Sequence, residues 1–107
     1  MSRATLSGTG PGQYRVDGDL DLASVGSLAR EGERLFAADP AVRIDLQGVG
    51  QANSAGLALL LEWLAQAQRR DQHLEIANLP ESLARIAAIT NLSGLLPLGR
   101  EQTTKLP

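Results

Sequence analysis

Read from its N-terminus, the chain alternates stretches of period-two hydrophobicity with longer stretches of helical period. Ala4 to Leu6 reads as a short strand, the Gly/Pro-rich "SGTGPG" (Ser7 to Gly12) as a turn, and Gln13 to Val16 as the partner strand. "GDLDLAS" (Gly18 to Ser24) leads into a helix from about Val25, whose apolar positions Val25, Leu28, Ala29, Leu35 and Phe36 follow helical spacing while Arg30, Glu31, Glu33 and Arg34 face water. Asp39-Pro40 breaks that helix, since a residue before Pro resists the helical region. "VRIDL" (Val42 to Leu46) alternates as a strand, and "QGVGQAN" reads as a loop. A leucine-rich helix follows from Ser54 to about Arg70, then a polar turn and a short strand, "LEIA" (Leu74 to Ala77). Asn78 to Pro80 opens a third helix, with Leu83, Ile86, Ala87 and Thr90 along one face. "NLSGLLPL" closes the domain as a last strand or hydrophobic tail, and residues from Gly99 onward read as a polar, frayed terminus.

This alternation predicts an α/β fold: a mixed sheet of four to five strands, the central ones parallel, with helices packed mainly on one face. The 107 residues are expected to form a single domain with its core over about 13–98 and a polar tail over 99–107.

The leucine helix holds the most information. At 100° per residue, Leu57, Leu60, Leu61 and Leu64 gather into a stripe suited to the core. Leu59 and Trp63, four apart, share another face beside Gln66 and Arg70. Either a neighbouring helix covers Trp63, or Leu59, Trp63 and Arg70 form a partner-binding face, because Trp and Arg are favoured interface anchors. Ser54 precedes the apolar run and reads as the helix N-cap. Capping does not explain why Ala55 and Gly56 follow; a first turn this bare lets another backbone or a phosphate approach closely.

Composition narrows the chemistry. The net charge is −2, the arginines are scattered, and aromatic residues make up 3% of the chain, so there is no footprint for nucleic acid. Without Cys there is no thiol nucleophile, disulfide or Cys-ligated metal. The single His73 sits in a polar turn, and a Ser54–His73–carboxylate grouping has no motif behind it. Asp17, Asp19 and Asp21 lack the glycine and the distal Glu of a calcium loop and read as solvated turn carboxylates. "GTGPG" precedes a strand and lacks the Lys-Ser/Thr of a phosphate loop. The chain is therefore expected to carry no cofactor, bind no metal and catalyse nothing. The N-terminal ten residues lack the apolar core of a signal peptide, and no apolar run approaches the ~20 residues of a membrane span, so a cytoplasmic protein is expected.

A strand ("VRIDL"), a short loop and Asn53-Ser54-Ala55-Gly56-Leu57 opening a leucine-rich helix resemble the STAS family, the domain of sulfate transporters and anti-sigma factor antagonists. "VDGDLDLAS" is similar to that family's second strand and following turn, and the resemblance extends from about Gln13 to Leu98. Within the family, "GLALLLEWLAQAQRR" followed by "LEIANLPESLARIAAITNLSGLLPL" is most similar to the small cytoplasmic subunit of a phospholipid ABC transporter that maintains outer-membrane lipid asymmetry. That resemblance implies a non-catalytic accessory subunit. It would dock on the transporter's ATPase subunit and through it reach the permease, held at the inner membrane by its partner without inserting. By the same match Asn53, Ser54, Ala55 and Gly56 join the partner-binding set, and Ser54 falls where the family carries its phosphorylatable or partner-contacting hydroxyl. The family usually has Asp where this chain has Asn53. In phospho-switched antagonists that Asp lies beside the target serine, so the substitution favours the transporter subunit over an anti-sigma factor antagonist switched at Ser54. Docking tolerates it, because Asn still accepts and donates hydrogen bonds.

Overall fold

The computed structural model describes residues 3–97, apart from the side chain of Ser93. The elements are β1 (Thr5–Gly10), β2 (Gln13–Leu20), α1 (Leu22–Phe36), β3 (Ala41–Ala52), α2 (Ser54–Arg69), β4 (His73–Ala77), α3 (Glu81–Ile89) and a short 3-10 turn at Ser93–Leu95. One sheet has the order β1-β2-β3-β4, antiparallel between β1 and β2 and parallel across the rest. The expected mixed sheet with parallel central strands is thus present, with four strands.

The hairpin turns on Pro11-Gly12, where Gly12 takes a φ of 69° and leaves no room for a side chain against the Ala41 carbonyl. Three strands run further than their hydrophobicity suggests. β1 continues through Gly10, β2 through Leu20, and β3 through the whole of "QGVGQA", which the sequence reads as loop. Pairing explains this: Asp17 stands opposite Gly48, Gly18 opposite Val49 and Leu20 opposite Ala52, so ladder hydrogen bonds carry the strands beyond their apolar cores. Asp17 and Asp19 therefore lie in β2, not in a loop, and α1 begins at Leu22, three residues before Val25. Asp21 caps it, accepting from the backbone N–H groups of Ala23 and Ser24 while the Ser24 hydroxyl accepts from the Asp21 N–H.

Val16, Leu20, Val42, Ile44, Leu46, Leu74 and Ile76 point from the sheet into one core, covered by Leu28 and Phe36 of α1, Leu57, Leu60 and Trp63 of α2, and Leu83 and Ala87 of α3. The other face of the sheet carries Arg15, Asp17, Arg43, Asp45 and Glu75, so the helices lie on one side. "NLSGLLPL" forms no strand among the described residues. Leu96 is buried, and the Pro97 carbonyl accepts from the Ile76 N–H at 2.8 Å, closing the β4 edge. The tail over 99–107 lies outside the described residues.

The C-terminus of α1 is fastened by side chains from three other places. Tyr14 of β2 donates to the Asp39 carboxylate at 2.6 Å and lies 3.0 Å from the Leu35 carbonyl. Gln72 donates to the Phe36 and Asp39 carbonyls, both at 2.6 Å, and Arg70 donates to the Glu33 carbonyl at 2.9 Å. These bonds satisfy carbonyls that a helix end otherwise leaves to solvent.

The bond to Asp39, with burial and the nearby negative charge, pushes the Tyr14 hydroxyl up to about 12. An unfolded tyrosine titrates near ~10, so its contribution is complete below that pH and is lost as pH rises through the folded value. Tyr14→Phe should lower stability by about 1 kcal/mol at neutral pH. The native protein should lose that advantage between pH ~10 and ~12. Melting curves across this range check it, and phenolate absorbance reads the one tyrosine of the chain directly.

Candidate functional site

Because β2, β3 and β4 are parallel and each is followed directly by a helix, α1, α2 and α3 all start at the same end of the sheet. Leu20 and Ala52 are register partners, so the starts of α1 and α2 stand side by side, tied by a bond from the Asn53 N–H to the Leu20 carbonyl at 3.2 Å. Between them lies a cleft of about 130 Å³ lined by Asp19, Leu20, Asp21, Gln51, Ala52 and Asn53.

The cap of α2 is Asn53, one residue before the expected Ser54. Asn53 has extended backbone, and its side-chain oxygen accepts from the Ala55 N–H at 2.9 Å. Ser54 is the first residue inside the helix, exposed, and its hydroxyl makes no hydrogen bond among the described residues. The fold therefore does not use the Ser54 hydroxyl.

Gly56 is also not part of the surface. A side chain there would lie 3.1 Å from Leu20 Cβ and 3.4 Å from a Leu83 methyl, so its smallness lets α2 close onto β2 and α3. The outer side of the first turns is Ser54, half-exposed Ala55 and exposed Ala58.

Of the two readings of Trp63, the structure takes the covered one: Leu59 and Trp63 are 3% and 2% exposed, so neither belongs to a partner-binding surface. Helix α2 packs on α1, α3 and β4 at once. Its buried arc from Gln66 through Trp63 to Leu57 is therefore about 180° wide, not the narrower stripe the leucines trace. Leu61 and Leu64 are correspondingly only half-buried. The cause lies on α1, where Gly32 opens a place for the indole: a Cβ there would sit 2.7 Å from Trp63 Cε2 and 2.9 Å from Phe36 Cε2. Arg70 is half-buried at the opposite end of α2 from Ser54, held on the Glu33 carbonyl. Of the expected partner-binding residues, the structure brings Asn53, Ser54 and Ala55 together at the surface and separates them from Gly56, Leu59, Trp63 and Arg70.

Sequence reasoning missed Leu22, the most exposed large hydrophobic residue described, at 84%. A signal existed in "DLDLAS", where Asp21 with Ser24 makes a capping box that sets the helix start just before Leu22.

On the open face of the sheet, Arg15 pairs with Asp17 at 2.8 Å and Arg43 with Glu75 at 3.1 Å. Burial alone would raise the Asp45 carboxyl, but the Asn78 amide, the Gln47 N–H and the charges of Arg43 and Arg15 together hold it below its ordinary value. Among the described residues, no group of three or more His, Asp or Glu side chains is placed to hold a metal ion, and no helix is long and apolar enough to cross a membrane.

The chain belongs to the family described as "Mlab, STAS domain", whose model matches residues 9–97. Solved structures agree on the fold. The anti-sigma factor antagonist SpoIIAA in its unphosphorylated form has a TM-score of 0.69 at 12% identity, over 94% of this chain and 91% of that one. An anti-sigma factor antagonist from Mycobacterium paratuberculosis has a TM-score of 0.69 at 21% identity, over 94% and 86%. The phosphorylated form of Bacillus SpoIIAA has a TM-score of 0.66 at 12% identity, over 94% and 95%. No protein of curated function matches the sequence.

The stabilities of substituted proteins check these assignments. Asn53→Ala should cost ~1 kcal/mol of stability, while Ser54→Ala should leave the melting temperature nearly unchanged. Trp63→Ala should cost ~3–5 kcal/mol. Gly32→Ala should cost ~1–3 kcal/mol by overpacking, and much less when Trp63→Leu has emptied the space; equal costs in the two backgrounds would contradict the contact.

Proposed function

We propose that the chain acts as a single non-catalytic docking domain: the STAS subunit of an Mla-type phospholipid ABC transporter, seated on the MlaF-like ATPase subunit and supporting its assembly and activity. The observation that carries the reading is the idle hydroxyl of Ser54. It stands at the exposed start of a rigid helix, with Asn53 doing the capping and small residues Ala55 and Ala58 leaving its approach open. A polar group fixed in place with no internal task suits a contact made by something else. Membership of a family named after MlaB supports the transporter as that partner, reached from the cytoplasmic side of the inner membrane.

The second reading is an anti-sigma factor antagonist switched by phosphorylation of Ser54. The solved relatives that carry this role, one of them in a phosphorylated form, favour it. Asn53 in place of the family's Asp supports the transporter reading instead.

Ser54→Asp separates the roles. At the first position of α2 a carboxylate suits the positive end of the helix, so the variant should fold at least as stably as native. Buried against a partner it becomes an uncompensated charge costing several kcal/mol. The variant should therefore keep its melting temperature and lose more than tenfold in affinity for the ATPase subunit, a loss of over ~1.4 kcal/mol. Titration of the purified ATPase subunit with native and variant protein checks this. Undiminished binding by the variant would remove Ser54 from the contact. Phosphate transfer to Ser54 by a serine kinase encoded beside the gene would favour the second reading.

A further inference from the structure

We propose that Leu22 is the apolar anchor of this docking end and that it seats in an apolar hollow of the ATPase subunit bordered by basic residues; the inference rests on the docking reading above. Leu22 and Ser54 occupy equivalent places, each two residues beyond the register pair Leu20 and Ala52 and each the first residue of its helix. The strands that lead into the two helices lie about 4.8 Å apart, so Leu22 and Ser54 both open at the same end of the sheet.

Exposed leucines are common singly, but two features distinguish this one. It is held rigidly, because the capping box of Asp21 and Ser24 fixes the backbone from which it projects, so seating it orders little new chain. It also directly follows Asp21, which with Asp19 lines the cleft between the two helix starts. Each carboxylate has one oxygen committed to backbone N–H groups, of Gln51 for Asp19 and of Ala23 and Ser24 for Asp21, and neither forms an ion pair among the described residues. Arg3, whose backbone bridges to Asp19, does not pair with either of them. A leucine at the edge of a cleft lined by two carboxylates without ion pairs matches an apolar hollow with Lys or Arg at its rim and repels an acidic one.

The experiment uses the full chain and the purified Mla-type ATPase subunit, with affinity measured at low and high ionic strength. Leu22→Ser should weaken binding by about tenfold or more, with the melting temperature unchanged, and Leu22→Met should restore most of the affinity. Native binding should weaken as salt rises, and Asp19→Asn, which keeps an oxygen for the Gln51 N–H, should flatten that dependence. If native protein binds, Ser54→Asp does not and Leu22→Ser binds like native, the docking reading stands and the anchor is overturned. If native protein shows no affinity for the ATPase subunit, the docking reading itself is overturned and the anchor with it.

Discussion

The contact between Trp63 and Gly32 holds the helical layer of this molecule in one arrangement. The chain has one Tyr, one Phe and one Trp. They lie edge to face in a single line, Tyr14 to Phe36 at 4.7 Å and Phe36 to Trp63 at 5.4 Å between ring centres. The line crosses from β2 through α1 to α2, and Gly32 is what lets the third ring close against α1. Such pairs favour a particular ring geometry beyond the area they bury, so they fix how the two helices cross as well as holding them together. The bonds from Tyr14, Gln72 and Arg70 onto the end of α1 lock the same place from the polar side.

Fixing the helices near their C-terminal halves has its effect at the other end. α1 and α2 run back over the sheet, and their starts are set by parallel strands in register. Among the residues there, Leu22, Ser54 and Ala58 are exposed and Ala55 is half-exposed. A site with little internal bonding on so rigid a frame presents its groups without reorganisation, and that lowers the entropic cost of association. Asn53 completes the arrangement by taking the cap and leaving the next hydroxyl idle.

Much of this was legible in the sequence. Alternating periods placed every helix and four strands, and the Asn53-Ser54-Ala55-Gly56-Leu57 motif marked the start of α2. What hydrophobicity misread or left open has its origin, in two places, in partners distant along the chain. "QGVGQA" is strand because β2 stands beside it, and hydrophobicity does not record pairing. Trp63 is core because Gly32 faces it, and helical arithmetic on α2 alone cannot see α1. Ser54 and Asn53 are both good caps, and only the backbone angles of Asn53 decide between them.

The proposed docking at the helix starts, and not on the charged open face of the sheet, fits where polar groups are already satisfied. There Arg15 and Asp17, Arg43 and Glu75, and Asp45 with Asn78 are already matched to one another. A partner lying across them would have to desolvate groups whose Coulomb needs are met, gaining little in return. At the helix starts the balance is reversed. The Asp19 and Asp21 carboxylates keep an oxygen each for a partner, Ser54 has a hydroxyl to give, and Leu22 loses only water when covered. The fold thus pairs the charges of its open face and leaves groups unpaired at the helix starts, which fits the docking proposed for that end.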